Sequence, residues 1–257
     1  MKKILIMSLA LLIVSSVSAQ NPEAKGLEIA KAAEAADNGF GSSTVDLKMT
    51  LKNKNGQTSE RSLSTRTLEL TEDGDKSLIV FGSPKDVKGT ATLTYTHKTS
   101  ADDQWLFLPS IKRVKRISSD NKSGPFVGSE FAYEDLSSQE VEKYSYKFIE
   151  AQGNLLIVEQ DPVDAKSGYT RRLVTYNKSN AYRVEKVEFY DRKNSLLKTL
   201  TYSDYNLYKN KFWRAGTFKM VNHQSNKETT LKFSNYNFDA GLTEDDFTQI
   251  SLKRAGL

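Results

Sequence analysis

The chain has 257 residues, 37 Lys and Arg against 32 Asp and Glu, a formal net charge of +5 at pH 7 and no cysteine. A sequence without cysteine has no disulfides, no thiol chemistry and no lipidated N-terminal cysteine. Charges of both signs are interspersed along most of the chain, so the composition does not favour a nucleic-acid-binding protein and we expect no nucleic-acid partner.

The first segment, MKKILIMSLALLIVSSVSAQ, is typical of a secretory signal peptide. Lys2 and Lys3 precede an apolar run, and small residues lead to Ala19. This order of basic, apolar and small residues predicts cleavage after Ala19. We therefore expect a signal peptide over 1–19, one domain over 20–257 and a periplasmic location.

The next segment, PEAKGLEIAKAAEAA from Pro22 to Ala36, is rich in Ala, Glu and Lys. Leu27, Ile29 and Ala30 fall toward one side of a helix, and Asn-Gly follows as a stop signal. This pattern predicts an amphipathic helix.

The remainder of the chain has the patterns of β-strands. In VDLKMTLKN, Leu47, Met49 and Leu51 alternate with polar residues, and Asn55-Gly56 follows as a hairpin turn. About a dozen similar short runs are separated by turn residues, without an internal repeat or a linker. The sequence therefore predicts a mainly β protein whose single domain is an antiparallel barrel or a strongly curved sheet.

Residues with catalytic or metal-binding chemistry are few. His97 and His223 lie on separate predicted strands without neighbouring ligands, so we expect no metal site. Adjacent carboxylates such as Glu134 and Asp135 are expected to face water. The sequence has no nucleophile elbow, phosphate-binding glycine loop or zinc-protease motif, so we expect no cofactor, no catalytic residue and no enzyme.

The most distinctive stretch, DQWLFLPSIKRVKRISSDNKSGPFVGSEFAYEDL, begins with an apolar strand. On that strand Trp105 and Phe107 share one face, and Leu106 and Leu108 share the other. Aromatic side chains on a single face suit the wall or rim of a cavity. The small residues further along predict a long loop that could act as a lid, with Gly124, Pro125 and Gly128 as hinges.

Lys112, Arg113, Lys115 and Arg116 follow that strand, and we call them the basic edge. An extended chain places these cations on both faces, which suits a sheet edge or the mouth of a cavity because unpaired buried cations are costly. Two roles remain open. The basic edge could contact anionic lipid headgroups or an acidic membrane partner, or it could be a solvated edge whose charges pair with downstream acids.

The segments WLFLPSIKRVKRIS and FVGSEFAYEDL resemble the signature of bacterial outer-membrane lipoprotein-sorting proteins. These form a LolA-like group within the superfamily of periplasmic lipoprotein and lipid carriers; Glu130 stands where that family commonly has Asp. The resemblance implies an incompletely closed β-barrel, a LolA-like half-barrel with a helical or loop lid. It also implies an apolar cavity that shields acyl chains from water, without covalent chemistry.

Strand alternation and this motif together give the candidate ligand-binding residues of the cavity or its rim. They are Leu47, Met49, Leu51, Leu93, Tyr95, Trp105, Phe107, Phe126, Phe131 and Tyr133. The expected partners are lipid or lipoprotein acyl chains and an inner-membrane export pump or another membrane partner, for a monomeric carrier or chaperone. The alternatives are an outer-membrane β-barrel, an envelope protein-interaction module and a periplasmic lipid or glycan hydrolase.

Overall fold

The computed structural model describes residues 21–257, which form two α-helices and thirteen β-strands. The elements are α1 (Pro22–Asp37), β1 (Ser42–Lys52), β2 (Thr58–Leu68), β3 (Lys76–Ser83), β4 (Ala91–Tyr95), β5 (Asp103–Leu108), β6 (Arg113–Ile117), β7 (Tyr144–Gln152), β8 (Leu155–Pro162), β9 (Tyr169–Asn177), β10 (Arg183–Asp191), β11 (Leu196–Tyr208), β12 (Phe212–Asn222), β13 (Lys227–Phe238) and α2 (Gln249–Ala255).

All thirteen strands belong to one open antiparallel sheet. Its order is β6-β5-β4-β3-β2-β1-β13-β12-β11-β10-β9-β8-β7, so the pairing of β1 with β13 joins the two halves of the chain. The two edge strands, β6 and β7, are consecutive in sequence. Residues 118–143, which we call the connecting segment, therefore lead from one edge of the sheet to the other. The prediction of an incompletely closed barrel is confirmed.

One face of this sheet carries the main core, and we call it the inner face. Leu47 and Met49 of β1 are buried there, as their alternation predicts. Phe126 and Phe131 of the connecting segment pack into the same core, together with Ile29 of α1. The inner face is thus covered by one helix and one loop-rich segment, as expected for a half-barrel with a lid.

Helix α1 confirms the predicted amphipathic helix. The Asn21 side chain accepts a hydrogen bond from the backbone N–H of Glu23 at 2.8 Å and so caps the first turn. Gly26 faces β7 so closely that a Cβ atom would lie 2.9 Å from the backbone nitrogens of both Lys147 and Phe148. Glycine is therefore what allows the helix to lie directly on this edge strand.

Helix α2 covers part of the opposite, outer face. Leu252 of α2 and the preceding Phe247 pack against Leu78, Leu93 and Phe107 of β3–β5, and all five side chains are fully buried. The sequence pattern does not predict this helix, because QISLKRA is short and only Leu252 among its residues is buried. Its contacts are long-range, so no local pattern indicates them.

Within residues 21–257, no helix has both the length and the apolar character that a membrane crossing requires. The predicted signal peptide and its cleavage site lie outside the described residues.

Candidate ligand cavity

A cavity of about 610 Å³ lies between α1 and the inner face of the sheet. Its size falls within the range of about 300–1,000 Å³ that small-molecule sites occupy. Aromatic and small apolar side chains supply much of its wall: Ala30, Ala33, Val45, Tyr146, Tyr176, Tyr182, Val184, Tyr202, Tyr205, Trp213, Phe218, Phe233 and Tyr236. These side chains come mostly from β7–β13 and α1.

Cross-strand pairing builds an aromatic wall on β11–β13. Tyr202 lies directly opposite Phe218, and their ring centroids are 4.6 Å apart in an edge-to-face arrangement. Phe218 is also 4.6 Å from Phe233, which stacks on Tyr236 at 6.1 Å. Such ring pairs stabilise one another beyond the burial of their area. The wall is therefore an ordered apolar surface.

The tyrosine hydroxyls of the cavity are held as neutral hydrogen-bonding groups. Tyr146 donates to the carbonyl oxygen of Val141 at 2.8 Å, and Tyr176 accepts from the Gln160 amide at 2.7 Å. Burial raises the pKa of Tyr176 to about 12 and raises the pKa of Tyr146 as well. These side chains add polar anchor points without adding charge.

Arg172 of β9 brings a positive charge into the cavity wall. The residue is only 8% exposed. Its Nε donates to the Gln160 amide oxygen at 2.7 Å, its Nη1 donates to the Gln139 amide oxygen, and its guanidinium lies 3.8 Å from the centroid of the Tyr144 ring. All three partners are uncharged.

Carboxyl groups lie elsewhere around the cavity. Burial, with the neighbouring charge of Asp75, raises the pKa of Glu140 to about 7. Burial also raises the pKa of Asp75 to about 6, although the Ser138 hydroxyl donates to it at 3.0 Å. The ligand atoms of Glu34, Glu140 and Glu142 lie within 4.8 Å of one another and are of the type that Ca²⁺ prefers. A cluster of acidic side chains does not by itself define a metal site.

The connecting segment fills the other part of the inner face. Phe126 is 1% exposed and Phe131 is 2% exposed, and both pack into the core that holds Leu47 and Met49. Phe126 meets Tyr133 edge to face at 5.6 Å. The segment predicted as a lid loop is therefore a packed plug in this structure.

A buried ion pair fixes this plug to the sheet. Lys198 of β11 lies 2.6 Å from the carboxylate of Asp135, and the two side chains are only 4% and 3% exposed. Lys198 also donates to the carbonyl oxygen of Glu130 at 3.0 Å, and Asp135 accepts from the Tyr169 hydroxyl at 2.8 Å. Nearby, Glu134 accepts from the backbone N–H of Gly168 at 2.9 Å. The expectation that Glu134 and Asp135 face water is thus wrong, because both bind partners on or next to distant strands.

The structure corrects the placement of Leu93, Tyr95, Trp105 and Phe107 in the cavity wall. These four residues belong to the outer-face cluster beneath α2. The pairing of β4 with β5 sets Leu93 opposite Trp105, and the Tyr95 hydroxyl donates to the carbonyl oxygen of Phe247. Both faces of β5 are apolar in sequence. Contact with α2 determines that the face with Trp105 and Phe107 is the outer face.

The other candidates do lie on the inner face. Leu47, Met49, Leu51, Phe126, Phe131 and Tyr133 all pack in or against the main core, on the part of the inner face that the plug fills. None of them lines the open cavity, to which β1 contributes Ser43 and Val45. A direct role of these residues in ligand binding stays a prediction.

The basic edge lies at the edge of the sheet, as the charge pattern predicts: Arg113, Lys115 and Arg116 are on β6, and Lys112 directly precedes that strand. Lys112, Arg113, Lys115 and Arg116 are all exposed, and Arg116 pairs with Asp103. The downstream acids bind other groups: Asp135 pairs with Lys198, Glu134 accepts from Gly168, and Glu130 accepts from Asn222 at 2.7 Å. The edge position is confirmed, whereas the role of its charges stays a prediction.

A larger groove of about 910 Å³ lies near the plug. Its lining includes Glu130, Asp191, Arg192, Lys193 and Gln224. Phe131 and Tyr169 are the aromatic residues of this lining, so the groove has no aromatic wall like that of the cavity beneath α1.

An open, curved antiparallel sheet with a helix-covered aromatic cavity defines the LolA-like half-barrel architecture. The chain belongs to the outer membrane lipoprotein-sorting protein family. It is 51% identical to a crystal structure described as an outer membrane lipoprotein-sorting protein domain from Vibrio parahaemolyticus, covering 90% of this chain and 100% of that chain with a TM-score of 0.88. A family model whose description reads only "Uncharacterized protein" matches residues 73–254.

Two further solved structures share the architecture. A DUF1329 family protein from Desulfovibrio piger is 25% identical, covering 90% of this chain and 99% of that chain with a TM-score of 0.85. A LolA superfamily protein from Nitrosomonas europaea is 19% identical, covers 88% and 98% with a TM-score of 0.71, and shows the shared fold. No curated protein matches this chain.

Proposed function

We propose that the protein is a periplasmic carrier or chaperone that holds a lipid, or the acyl chains of a lipoprotein, in the α1-covered cavity. The observation that carries this proposal is the cavity of about 610 Å³ with its aromatic wall. Each methylene moved from water into such a site contributes about 0.8 kcal/mol, so burying ten of them is worth roughly 8 kcal/mol before the costs of binding.

The comparisons support the same assignment. The Vibrio relative, which is 51% identical, is described as an outer membrane lipoprotein-sorting protein domain. Holding acyl chains in a cavity needs no covalent step, so the proposal assigns no catalytic residue and no cofactor. We further propose that the carrier is a monomer and exchanges its ligand with an inner-membrane export pump or another membrane partner.

Native mass spectrometry of the protein purified from its own periplasm without detergent tests the proposal. We expect a stoichiometric lipid or acylated peptide. Ala33→Trp, which places an indole in the cavity, should abolish binding of this ligand. The matched control Ala35→Trp changes an exposed residue of the same helix and should leave the ligand bound. A protein that is always empty and binds no acylated probe, or an Ala33→Trp variant that binds as well as wild type, would contradict the proposal.

We propose that the basic edge meets an anionic membrane surface during ligand exchange. Its four exposed cations support this, three of them on the short edge strand β6 and Lys112 directly before it, because each cation near an anionic leaflet contributes about 1 kcal/mol. Vesicles of anionic phospholipid should retain the protein at low salt, and replacing Lys112, Arg113 and Lys115 with Glu should release it. Equal binding to zwitterionic vesicles would instead assign these residues to a solvated edge.

A further inference from the structure

We infer that Arg172 recognises the anionic headgroup of the ligand. The cavity then takes an amphiphile with an acyl chain and a terminal carboxylate or phosphate in preference to a neutral lipid. This inference rests on the proposed function of the cavity and names the class of ligand that it selects.

Arg172 is a buried cation whose contacts within the described part of the chain include no anionic group. Two cationic side chains among residues 21–257 are less than 9% exposed, Lys198 and Arg172. Lys198 has the carboxylate of Asp135 at 2.6 Å, whereas the hydrogen bonds and ring contact of Arg172 go to Gln139, Gln160 and Tyr144. Burying a cation without an anionic partner costs several kcal/mol. A ligand that supplies the missing negative charge recovers part of that cost on binding.

The guanidinium of Arg172 is held in a fixed orientation by its neighbours. A guanidinium presents a planar set of N–H donors that matches two oxygens of a carboxylate or phosphate. Here Tyr144 stacks on the plane and Gln160 fixes Nε, so the donor set is oriented before a ligand arrives. Gln160 in turn donates to the Tyr176 hydroxyl, which connects the charged group to the aromatic wall. A headgroup at Arg172 therefore leaves the acyl chain beside the apolar lining.

The residue that contacts Nη1 of Arg172 is the uncharged Gln139. Gln139 belongs to the connecting segment and is exposed, and its amide oxygen accepts from both Arg172 and the Tyr144 hydroxyl. A neutral amide oxygen on an exposed side chain occupies the position that an anionic oxygen would prefer. The hydrogen bonds and the ring contact of Arg172 within residues 21–257 include no carboxylate.

Binding of three amphiphiles with the same twelve-carbon chain tests the inference: dodecanoate, dodecyl phosphate and dodecanol. For the wild type we expect both anions to bind at least about tenfold more tightly than the alcohol, as expected for a hydrogen-bonded charge pair. Arg172→Gln should remove this difference and leave dodecanol unchanged. Arg171→Gln is the matched control, since Arg171 pairs with Glu159 at 3.0 Å and stacks on Tyr190. Inorganic phosphate should not compete with either anion.

A second variant protects the test against misfolding of Arg172→Gln. Gln139→Glu changes an exposed side chain and sets a carboxylate against the guanidinium, so it should abolish the preference for anions without lowering the melting temperature. Equal wild-type affinity for all three amphiphiles, or a preference that survives both variants, would overturn the inference and leave the carrier proposal standing. If the wild type binds none of the three, the carrier proposal fails with it.

Discussion

Replacing Asp135 with asparagine removes the negative half of the ion pair that fixes the plug. Asp135→Asn keeps the size of the side chain and an acceptor oxygen, but leaves Lys198 buried without an anion. The Lys198 side chain is 4% exposed and lies about 5 Å from the centroids of two aromatic rings, Tyr169 and Phe189. Breaking a buried pair by neutralising one member costs about 3–5 kcal/mol, a large fraction of the stability of a typical domain.

Urea unfolding of Asp135→Asn, Lys198→Met and the double variant measures this cost. We expect each single variant to lose about 3–5 kcal/mol. The double variant should lose less than the sum, because methionine places an apolar side chain among the rings that now surround the ammonium group. Proteolysis within the connecting segment should accelerate in the single variants before the rest of the chain is cut.

The matched control is an exposed ion pair of similar length. Lys48 and Glu60 approach to 2.9 Å with more than half of each side chain exposed, so Glu60→Gln should cost less than about 1 kcal/mol. If Asp135→Asn costs no more than Glu60→Gln, the ion pair does not hold the plug, and the packing of Phe126 and Phe131 is sufficient for that role.

Three further variants test other parts of the structure. Burial holds the pKa of Glu140 at about 7 in the folded state, against 4.5 for an ordinary glutamate. The ionisation of Glu140 therefore lowers the stability of the wild type as the pH rises from about 4.5 to about 7. Glu140→Gln should therefore melt higher than wild type at pH 8 and equally at pH 4, and a difference that grows toward low pH would contradict this sign. Gly26→Val should displace α1 from β7, lower the free energy of unfolding by about 2 kcal/mol or more, and weaken ligand binding. Unchanged hydrogen exchange in α1 would argue against the close helix–sheet contact. Phe107→Ala should cost about 3–5 kcal/mol because the ring is fully buried, yet leave ligand affinity unchanged in the folded protein. A loss of affinity measured by titration would return this ring to the cavity.

Local patterns predict those parts of the fold that depend on one face being apolar and the other polar. The alternation of Leu47 and Met49 with polar neighbours predicts β1 and its buried face, and the composition of α1 predicts that helix. The assignment fails at β5, where Trp105 and Phe107 on one face are no more apolar than Leu106 on the other. Helix α2, more than a hundred residues later in the chain, selects the face that packs beneath it.

The charged residues of the interior were harder to predict because their partners are distant in sequence. Lys198 meets Asp135 across 63 positions, and Arg172 meets Gln139 across 33. One signal was present in GYTRRLVTYN. Successive residues of a strand point to opposite faces, so one of Arg171 and Arg172 has to face inward when the inner face is covered. Arg171 pairs with Glu159, and Arg172 lines the cavity.

The motif that carries the family resemblance lies mainly outside the cavity. Its first part forms β5 and the basic edge, and its second part forms the plug with Phe126, Phe131 and Asp135. The cavity wall comes mostly from α1 and β7–β13, where its residues are spread over many strands without a contiguous signature. The motif therefore corresponds to the plug and the basic edge of the half-barrel. If the cavity holds the ligand as we propose, residues outside the motif such as Arg172 and Phe218 contact it, and proteins that share the motif can then differ in their ligands.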